Sequence, residues 1–436
     1  MDDVSPTLRR PARTRTTTTV APTSDVTGNT GWAAFGGRVA TRVARGIDLR
    51  AEPEALAEGT WFVVADFEGR ARAWQFREVT AADPAAAPSP ASSDTIGAVG
   101  PEPAPDAWTG PDPTTWTSSM DRVGYEAAVR RIREHVREGD VYQANLCRVL
   151  SAPLSVAPDG AEPDARGLAA RLAVGNPAPH AAAIHVPSGT PGSAGEPVDP
   201  VWVVSASPEL YLSLGPGDAE DIGGRGPGGP GGTASAAAPV ITSGPIKGTA
   251  RTPAGLTDKD RAENIMITDL VRNDLQHVCR PGTVEVTDLL AVEHHPGLVH
   301  LVSRVRGVLA DDVMHAPDLW RRLFDGTFPP GSVSGAPKSS ALRIIEQLET
   351  VPRGPYCGAI GWIDGDAGTA SLAVGIRTFW WERGPGDAPA GILRFGTGAG
   401  ITWGSDPAAE WQETELKAER LVGLASGGLS VSSRTV

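Results

Sequence analysis

The chain has 436 residues, 40% hydrophobic and 21% charged, enough to bury a large core in roughly one big domain or two to three ordinary ones. Its net charge of −13 excludes the basic footprint with which a nucleic-acid binder displaces phosphate counterions, so an anionic ligand must meet local positive charge. Cys147, Cys279 and Cys357 are too far apart to suggest a disulfide framework or a zinc site, and no run of about 18 apolar residues reaches membrane-spanning length; a soluble protein of the reducing cytoplasm is expected, with no nucleic acid and no membrane among its partners.

Residues 1–30, with arginines and threonines but no apolar stretch, read as a disordered tail. The stretch "TWFVVADFEG" (60–69) is strand-like and belongs to an N-terminal region, 31–118, that ends in a Pro/Ala-rich linker. Segments 82–118, 187–199 and 214–238 hold mainly Gly, Pro and small residues, which bury too little apolar area to offset the entropy of ordering them. The last two flank "PVWVVSASPELYLSL" (200–214), one or two strands, and are expected as surface hairpin loops.

In "DRVGYEAAVRRIREHVREGD" (121–140), Tyr125, Val129, Ile132 and Val136 recur at helical spacing, and Gly139 suits the stop. Thr257 and Asp260 are spaced as a capping box before a helix with Met266, Ile267, Leu270, Val271 and Val278 on its apolar face. "FPPGSVSGAPKSSALRIIEQLE" (328–349) runs from a Gly/Ser/Pro loop into an amphipathic helix. "GAIGWIDG", "TASLAVGIRTFWW" and "GILRFGTGAGITWG" read as strands joined by Gly-rich turns, and "DPAAEWQETELKAERLVGL" (406–424) as a helix with Pro407 in its first turn. The order predicts an α+β fold, with large antiparallel sheets covered by helices over 119–425, followed by a disordered tail at 426–436.

Asp260 and Glu263, and separately Glu410 and Glu413, are three residues apart and share a helix face. Two such pairs are either solvated acidic faces or the oxygen ligands that Mg²⁺ takes, and Lys417 lies one turn beyond Glu413 to hold an anion beside the metal. His294, His295 and His300 lack helical ligand spacing. Lys247 stands alone in the tight loop "TSGPIKGTARTP" (242–253), where a solvated cation is the plain reading. The turn "GTGAGI" (396–401) and the loop at 328–338 can aim N–H groups at an anion, though neither has the spacing of a phosphate-binding fingerprint.

Taken in order, "GDVYQANLCR", "SPELYLSL", "PIKGTARTP", "AENIMITDLVRNDL", "HLVSRVRG", "FPPGSVSGAPK", "YCGAIGWID" and "GAGITWGSDPAAEWQETELKA" resemble the motif series of the chorismate-utilising enzymes over about 119–425. Lys247 before Gly-Thr resembles the aminodeoxychorismate synthase component I branch, where anthranilate synthases carry a small residue. Ser334 departs from the usual threonine, and Gln276-His277 from the usual Gly-Arg.

The resemblance implies the chorismate-utilising fold, a sandwich of large antiparallel sheets flanked by helices, and conversion of chorismate and ammonia to 4-amino-4-deoxychorismate for folate synthesis. Lys247 is then the nucleophile, Glu209 the general acid, and His300 orients the region near ring C4. Mg²⁺ would rest on Glu263 and Glu413, with Glu410 and Asp260 behind waters. Tyr356, Arg377, Gly398, Gly400, Lys417 and Thr249 would bind substrate. None of the cysteines lies in a glutaminase nucleophile elbow, so a separate glutamine amidotransferase is expected to deliver ammonia. The alternatives are an anthranilate synthase component I, an isochorismate synthase, which carries a lysine base where Gln143 stands, and a non-catalytic metal-binding protein.

Overall fold

A computed structural model describes residues 31–81, 108–217, 238–295, 298–384 and 390–427. In chain order its elements begin with β1 (Trp32–Phe35), β2 (Arg38–Asp48), β3 (Thr60–Ala65), β4 (Ala71–Ala81), β5 (Thr117–Ser118), α1 (Arg122–Glu138), β6 (Gln143–Pro153) and α2 (Ala165–Gly175). The middle holds β7 (His180–Val186), β8 (Val201–Ser207), β9 (Leu210–Pro216), β10 (Pro239–Gly244), β11 (Ile246–Ala250), α3 (Asp258–Gln276), β12 (Glu285–His295) and β13 (Leu298–Val308). The last part holds α4 (Asp311–Met314), α5 (Leu319–Thr327), β14 (Gly335–Ala336), α6 (Lys338–Leu348), β15 (Ala359–Asp364), β16 (Thr369–Val374), β17 (Thr378–Arg383), β18 (Gly391–Ile401) and α7 (Pro407–Ala425).

All these strands pair antiparallel in one continuous ladder, from β13 through β10, β9, β16, β15, β3, β4, β2, β1, β7, β8, β17 and β18 to β6. β11 and β12 flank β13, and β5 and β14 flank β6. The ladder folds back until its ends meet: Lys247 Nζ of β11 lies 3.5 Å from where a Cβ on Gly400 of β18 would stand. The main core fills the fold, with Trp61, Phe62 and Trp74 against Leu212, Ile360 and Leu372. On the outer face α2 and α7 place Leu168, Leu172 and Leu421 over Trp202, Phe379 and Phe395. Tyr125, Ile132, Ile344 and Trp411, from α1, α6 and α7, cover Leu146, Ala399 and Ile401 of β6 and β18. Each such large side chain contributes about 1.5–3 kcal/mol by leaving water.

Local chemistry explains the helix ends. Asp121 accepts from Gly124 N at the start of α1, and Gly139 closes it at φ 85 with its N–H turned back to His135 and Val136. Thr257 and Asp260 make the expected capping box at α3, and Asp406 caps α7 ahead of Pro407. The loops after β7 and β9 join antiparallel neighbours, as expected of hairpins. Helices α2 and α5 were not legible: α2 is largely Ala, Gly and Leu, seven of its eleven positions are buried and its most exposed one is the apolar Val174, so no polar face marks its period.

The N-terminal strands are not a separate layer, since β1 pairs with β7 and β3 with β15. The described end of the proposed linker is pinned rather than loose: Trp108 Nε1 donates to Ala425 O at 2.8 Å, and Trp116 Nε1 to Ser426 Oγ at 3.0 Å. Ser426, placed in a tail by sequence, is buried. The expected tail at 1–30, residues 82–107 of the linker, 218–237 of the second hairpin loop and 428–436 lie outside the described residues. Among the described residues no helix is long and apolar enough to cross a membrane, and Cys147, Cys279 and Cys357 are buried free thiols.

One buried ion pair ties α6 to the ladder. Arg353 Nη2 donates to Glu349 Oε1 at 2.6 Å and to Asn145 O at 2.8 Å, and Nη1 to Val333 O at 2.8 Å. Glu349 Oε1 also accepts from Cys147 N at 2.8 Å. Removing one partner of a buried pair strands the other charge, so Glu349→Gln is expected to lower unfolding stability by about 3 kcal/mol, read from urea denaturation. A loss near zero would mean that Arg353 is neutralised elsewhere.

Candidate active site

Lys247 is aimed by an irregularity in its own strand. The β11–β13 register slips between Ile246 and Thr249, and Gly248, inside that slip, has φ +84. A Cβ on Gly248 would stand 2.8 Å from Asp260 Cβ, so glycine also admits the first turn of α3. Thr249 pairs with buried His300 across the ladder; the Thr249 side chain lies outside the described residues.

Opposite stands a strand with side chains deleted along one face. Gly396, Gly398 and Gly400 alternate along β18, facing Val149, Cys147 and Asn145 of β6. The Tyr356 ring occupies the space over Gly396, Cys147 Sγ lies 2.6 Å from a Cβ position on Gly398, and the Gln143 amide and Lys247 ammonium lie over Gly400. Gln143 Oε1 is buried and has no hydrogen-bond partner. Past Phe395 strand β18 has lost β17, and Lys417 Nζ donates to Gly398 O at 3.0 Å.

Glu209 sits between β8 and β9, with its N–H donating to Ser207 Oγ at 3.2 Å and its carbonyl accepting from Val374 N at 3.0 Å. The residue is 3% exposed. Burial pushes its carboxyl up to about 7, against the smaller opposing pulls of the Ser332 hydroxyl, the Lys247 ammonium and the Ile246 amide. It is thus poised to give or take a proton near neutrality. Ser332 Oγ makes no direct hydrogen bond of ordinary geometry, so its hold on Glu209 is the weaker one of a nearby dipole.

Arg377 occupies the break between β16 and β17 at φ 53. The segment is tied to the Tyr356 turn through Cys357 N to Gly375 O at 2.9 Å. Burial lowers the Arg377 pKa, and no carboxylate or carbonyl meets its guanidinium among the described residues. A desolvated, unpaired guanidinium is a carboxylate receptor. The Tyr356 hydroxyl, 3.9 Å from Cys147 Sγ, is pushed well above the usual phenol range by burial.

The acids gather beside Lys247. Glu263 is raised by burial, with Lys247 the largest opposing charge, while Glu413 is held below the usual range because Lys417, Lys259 and Lys247 together outweigh its burial. Lys417 Nζ is 2.6 Å from Glu413 Oε1. Lys259 Nζ stands between α3 and α7, 3.6 Å from Glu263 Oε1 and 3.5 Å from Glu410 Oε1. Asp260 is elsewhere engaged: its Oδ2 accepts from Thr257 N at 2.8 Å and from Thr257 Oγ1 at 2.7 Å.

The structure therefore gathers Lys247, Glu209, Glu263, Glu413, Glu410, Lys417 and Gly400 around one locus, and leaves Asp260 as a helix cap. Sequence reasoning missed Lys259 and Ser332. The (i, i+4) spacing of Lys259 to Glu263 was a signal; nothing in the loop containing Ser332 singled it out. Ser334 donates to Pro330 O at 3.1 Å, a bond that threonine makes equally well.

A ladder closed on a glycine-faced strand, with a lysine and a near-neutral carboxyl over it, defines an enzyme site for a small anion. The chorismate binding enzyme family model matches residues 7–220 and 234–423, and the chain belongs to that family. An aminodeoxychorismate synthase component 1 of Klebsiella aerogenes is 33% identical over 322 residues, 71% of this chain and 59% of that protein. An anthranilate synthase component 1 of Saccharolobus solfataricus is 44% identical over 165 residues, 38% of this chain and 36% of that protein. The match thus spans between a third and three-fifths of these relatives' lengths. The menaquinone-specific isochorismate synthase of Escherichia coli shares the fold at a TM-score of 0.63 and 17% identity, with 91% of this chain and 89% of that one covered.

Glu209 gives the site a pH signature. Its carboxyl titrates at about 7 in the folded chain against 4.5 for the free side chain, so the folded state holds an extra proton between those values. Its stabilising contribution is complete below the lower value and is lost as pH rises through the upper one. From pH 4.5 to pH 8, Glu209→Gln should gain about 3 kcal/mol relative to the wild type in urea denaturation. An equal difference at both pH values would show that Glu209 ionises normally.

Proposed function

We propose that this chain is the chorismate-aminating component of an aminodeoxychorismate synthase. The observation that carries the reading is Lys247 over Gly400, facing a carboxyl that titrates near neutrality. The Lys247 amine bonds to ring C2, the two conjugated ring double bonds each shift one bond toward C4, and the C4–O bond breaks. Glu209 gives its proton to the departing hydroxide, which leaves as water. Ammonia then bonds to C4, both double bonds return to their original places, and the C2–N bond to Lys247 breaks. The ammonium formed at C4 can return a proton to Glu209, closing the cycle. His300, buried opposite Thr249, orients the ring near C4.

Chorismate carries two carboxylates. Arg377 receives the enolpyruvyl carboxylate, with Tyr356 closing that corner and the glycine face of Gly398 and Gly400 leaving room for the ring. The acid cluster fits Mg²⁺: Glu263 Oε1 and Glu410 Oε2 are buried oxygens with no hydrogen-bond partner, the donor type a hard cation takes. Glu263 and Glu413 would hold it and Glu410 would support it through water, while Asp260 remains a cap. When bound, the cation supplies positive charge to the ring carboxylate, and Lys417 adds its own. Ammonia comes from a separate glutamine amidotransferase, in keeping with relatives named as component 1 of their enzymes.

Anthranilate synthase relatives favour a second reading, amination at C2 with loss of pyruvate. Lys247 opposes it by filling the place where ammonia would approach C2. The two separate in intact-protein mass spectrometry with chorismate and Mg²⁺ but no ammonia. The wild type should gain the mass of chorismate less one water. Lys247→Arg, whose guanidinium stays protonated and cannot add, should gain nothing and lose amination at C4 by about a thousandfold or more. A Lys247→Arg variant that aminates C4 near the wild-type rate would contradict the nucleophile role.

A further inference from the structure

Lys259 has no obvious reason to point inward. It is the second residue of α3, where the helix dipole disfavours a cation, and its side chain is 54% exposed, so water is within reach. It nevertheless leans across to α7, standing 3.6 Å from Glu263 Oε1 and donating a long bond of 3.5 Å to Glu410 Oε1. Glu410 is 3% exposed, and its Oε2 has no hydrogen-bond partner. Glu263, Glu410 and Glu413 do not converge as a set to within 4.8 Å of one another. The arrangement is a gap between carboxylates with a monovalent cation in it.

The charges are informative. Three carboxylates, Glu263, Glu410 and Glu413, are met within 4 Å by two ammoniums, Lys259 and Lys417, and at longer range by Lys247. Burial makes an uncompensated carboxylate pair costly, so the cluster needs a cation at all times. Lys259 fills that need on a tether that can release into solvent, whereas Lys417 is anchored at its other side by Gly398 O.

We propose that Lys259 is an exchangeable internal counter-ion: it holds Glu263 and Glu410 until a divalent cation displaces it into water, after which the carboxylates close on the metal. This rests on the metal reading of the acid cluster. Lys259 then competes with the metal and weakens its affinity, while stabilising the metal-free protein.

The test is Mn²⁺ binding to the full chain, counted from the free-ion electron paramagnetic resonance signal, with Mg²⁺ as competitor, for the wild type and Lys259→Met. Methionine is a good helix former at a half-exposed site, so folding is retained. The variant should bind Mn²⁺ about tenfold tighter, equivalent to about 1.4 kcal/mol. It should also melt lower than the wild type without metal, and gain more in melting temperature from saturating Mg²⁺. If the wild type binds Mn²⁺ and Lys259→Met binds it equally or more weakly, the exchange is wrong and the metal reading stands. If neither protein binds Mn²⁺, the metal reading fails and the exchange with it.

Discussion

The site depends on the absence of side chains at alternate positions of one strand. Gly396, Gly398 and Gly400 leave one face of β18 bare; the Tyr356 ring, the Cys147 thiol and the Gln143 amide occupy space that a Cβ would take, and Lys247 lies in contact distance beyond. The Tyr356 ring, the Cys147 thiol, the Gln143 amide and the Lys247 ammonium lie along that face in turn. Glycine in a strand interior costs packing and backbone entropy, and here three in alternation are tolerated because β6 on one side and α7 at the open edge hold the strand in place. The ladder then has only to fold back far enough to set β11 over that face.

Electrostatics follow from this closure. An acidic chain concentrates cations at one locus, and Lys247 acts on Glu209, Glu263 and Glu413 together. Burial alone would raise all three carboxyls, but their neighbours separate them. Glu209 has only weak opposition and stays near neutrality, while Glu413 has three lysines and is ionised. Groups of one chemical type are thereby divided into a proton carrier and an anion that holds cations, by their surroundings alone.

Much of this was legible in the chain. Helices α1, α3 and α7 could be read from local signals: the apolar spacing and Gly139 of α1, the Thr257–Asp260 box of α3 and Pro407 in the first turn of α7. The paired acids on α3 and α7 were visible as spacing, but that the two helices face each other across Lys259 is a tertiary fact. Asp260 shows the limit: its spacing to Glu263 suggested a ligand and its spacing to Thr257 a cap, and hydrogen bonds place its carboxylate in the cap. The N-terminal strands could not be joined to the rest from sequence, because strand partners such as β3 and β15 lie far apart in the chain. That no carboxylate among the described residues meets Arg377 is likewise invisible until the fold is known.

The division of labour between Lys247 and Glu209 is tested most directly by the identity of the product. The full chain, given chorismate, ammonium at raised pH and Mg²⁺, can be assayed by liquid chromatography and mass spectrometry together with a pyruvate assay. The expected product is 4-amino-4-deoxychorismate, with no pyruvate released. Anthranilate with an equivalent of pyruvate, or isochorismate, would contradict the roles assigned to both residues.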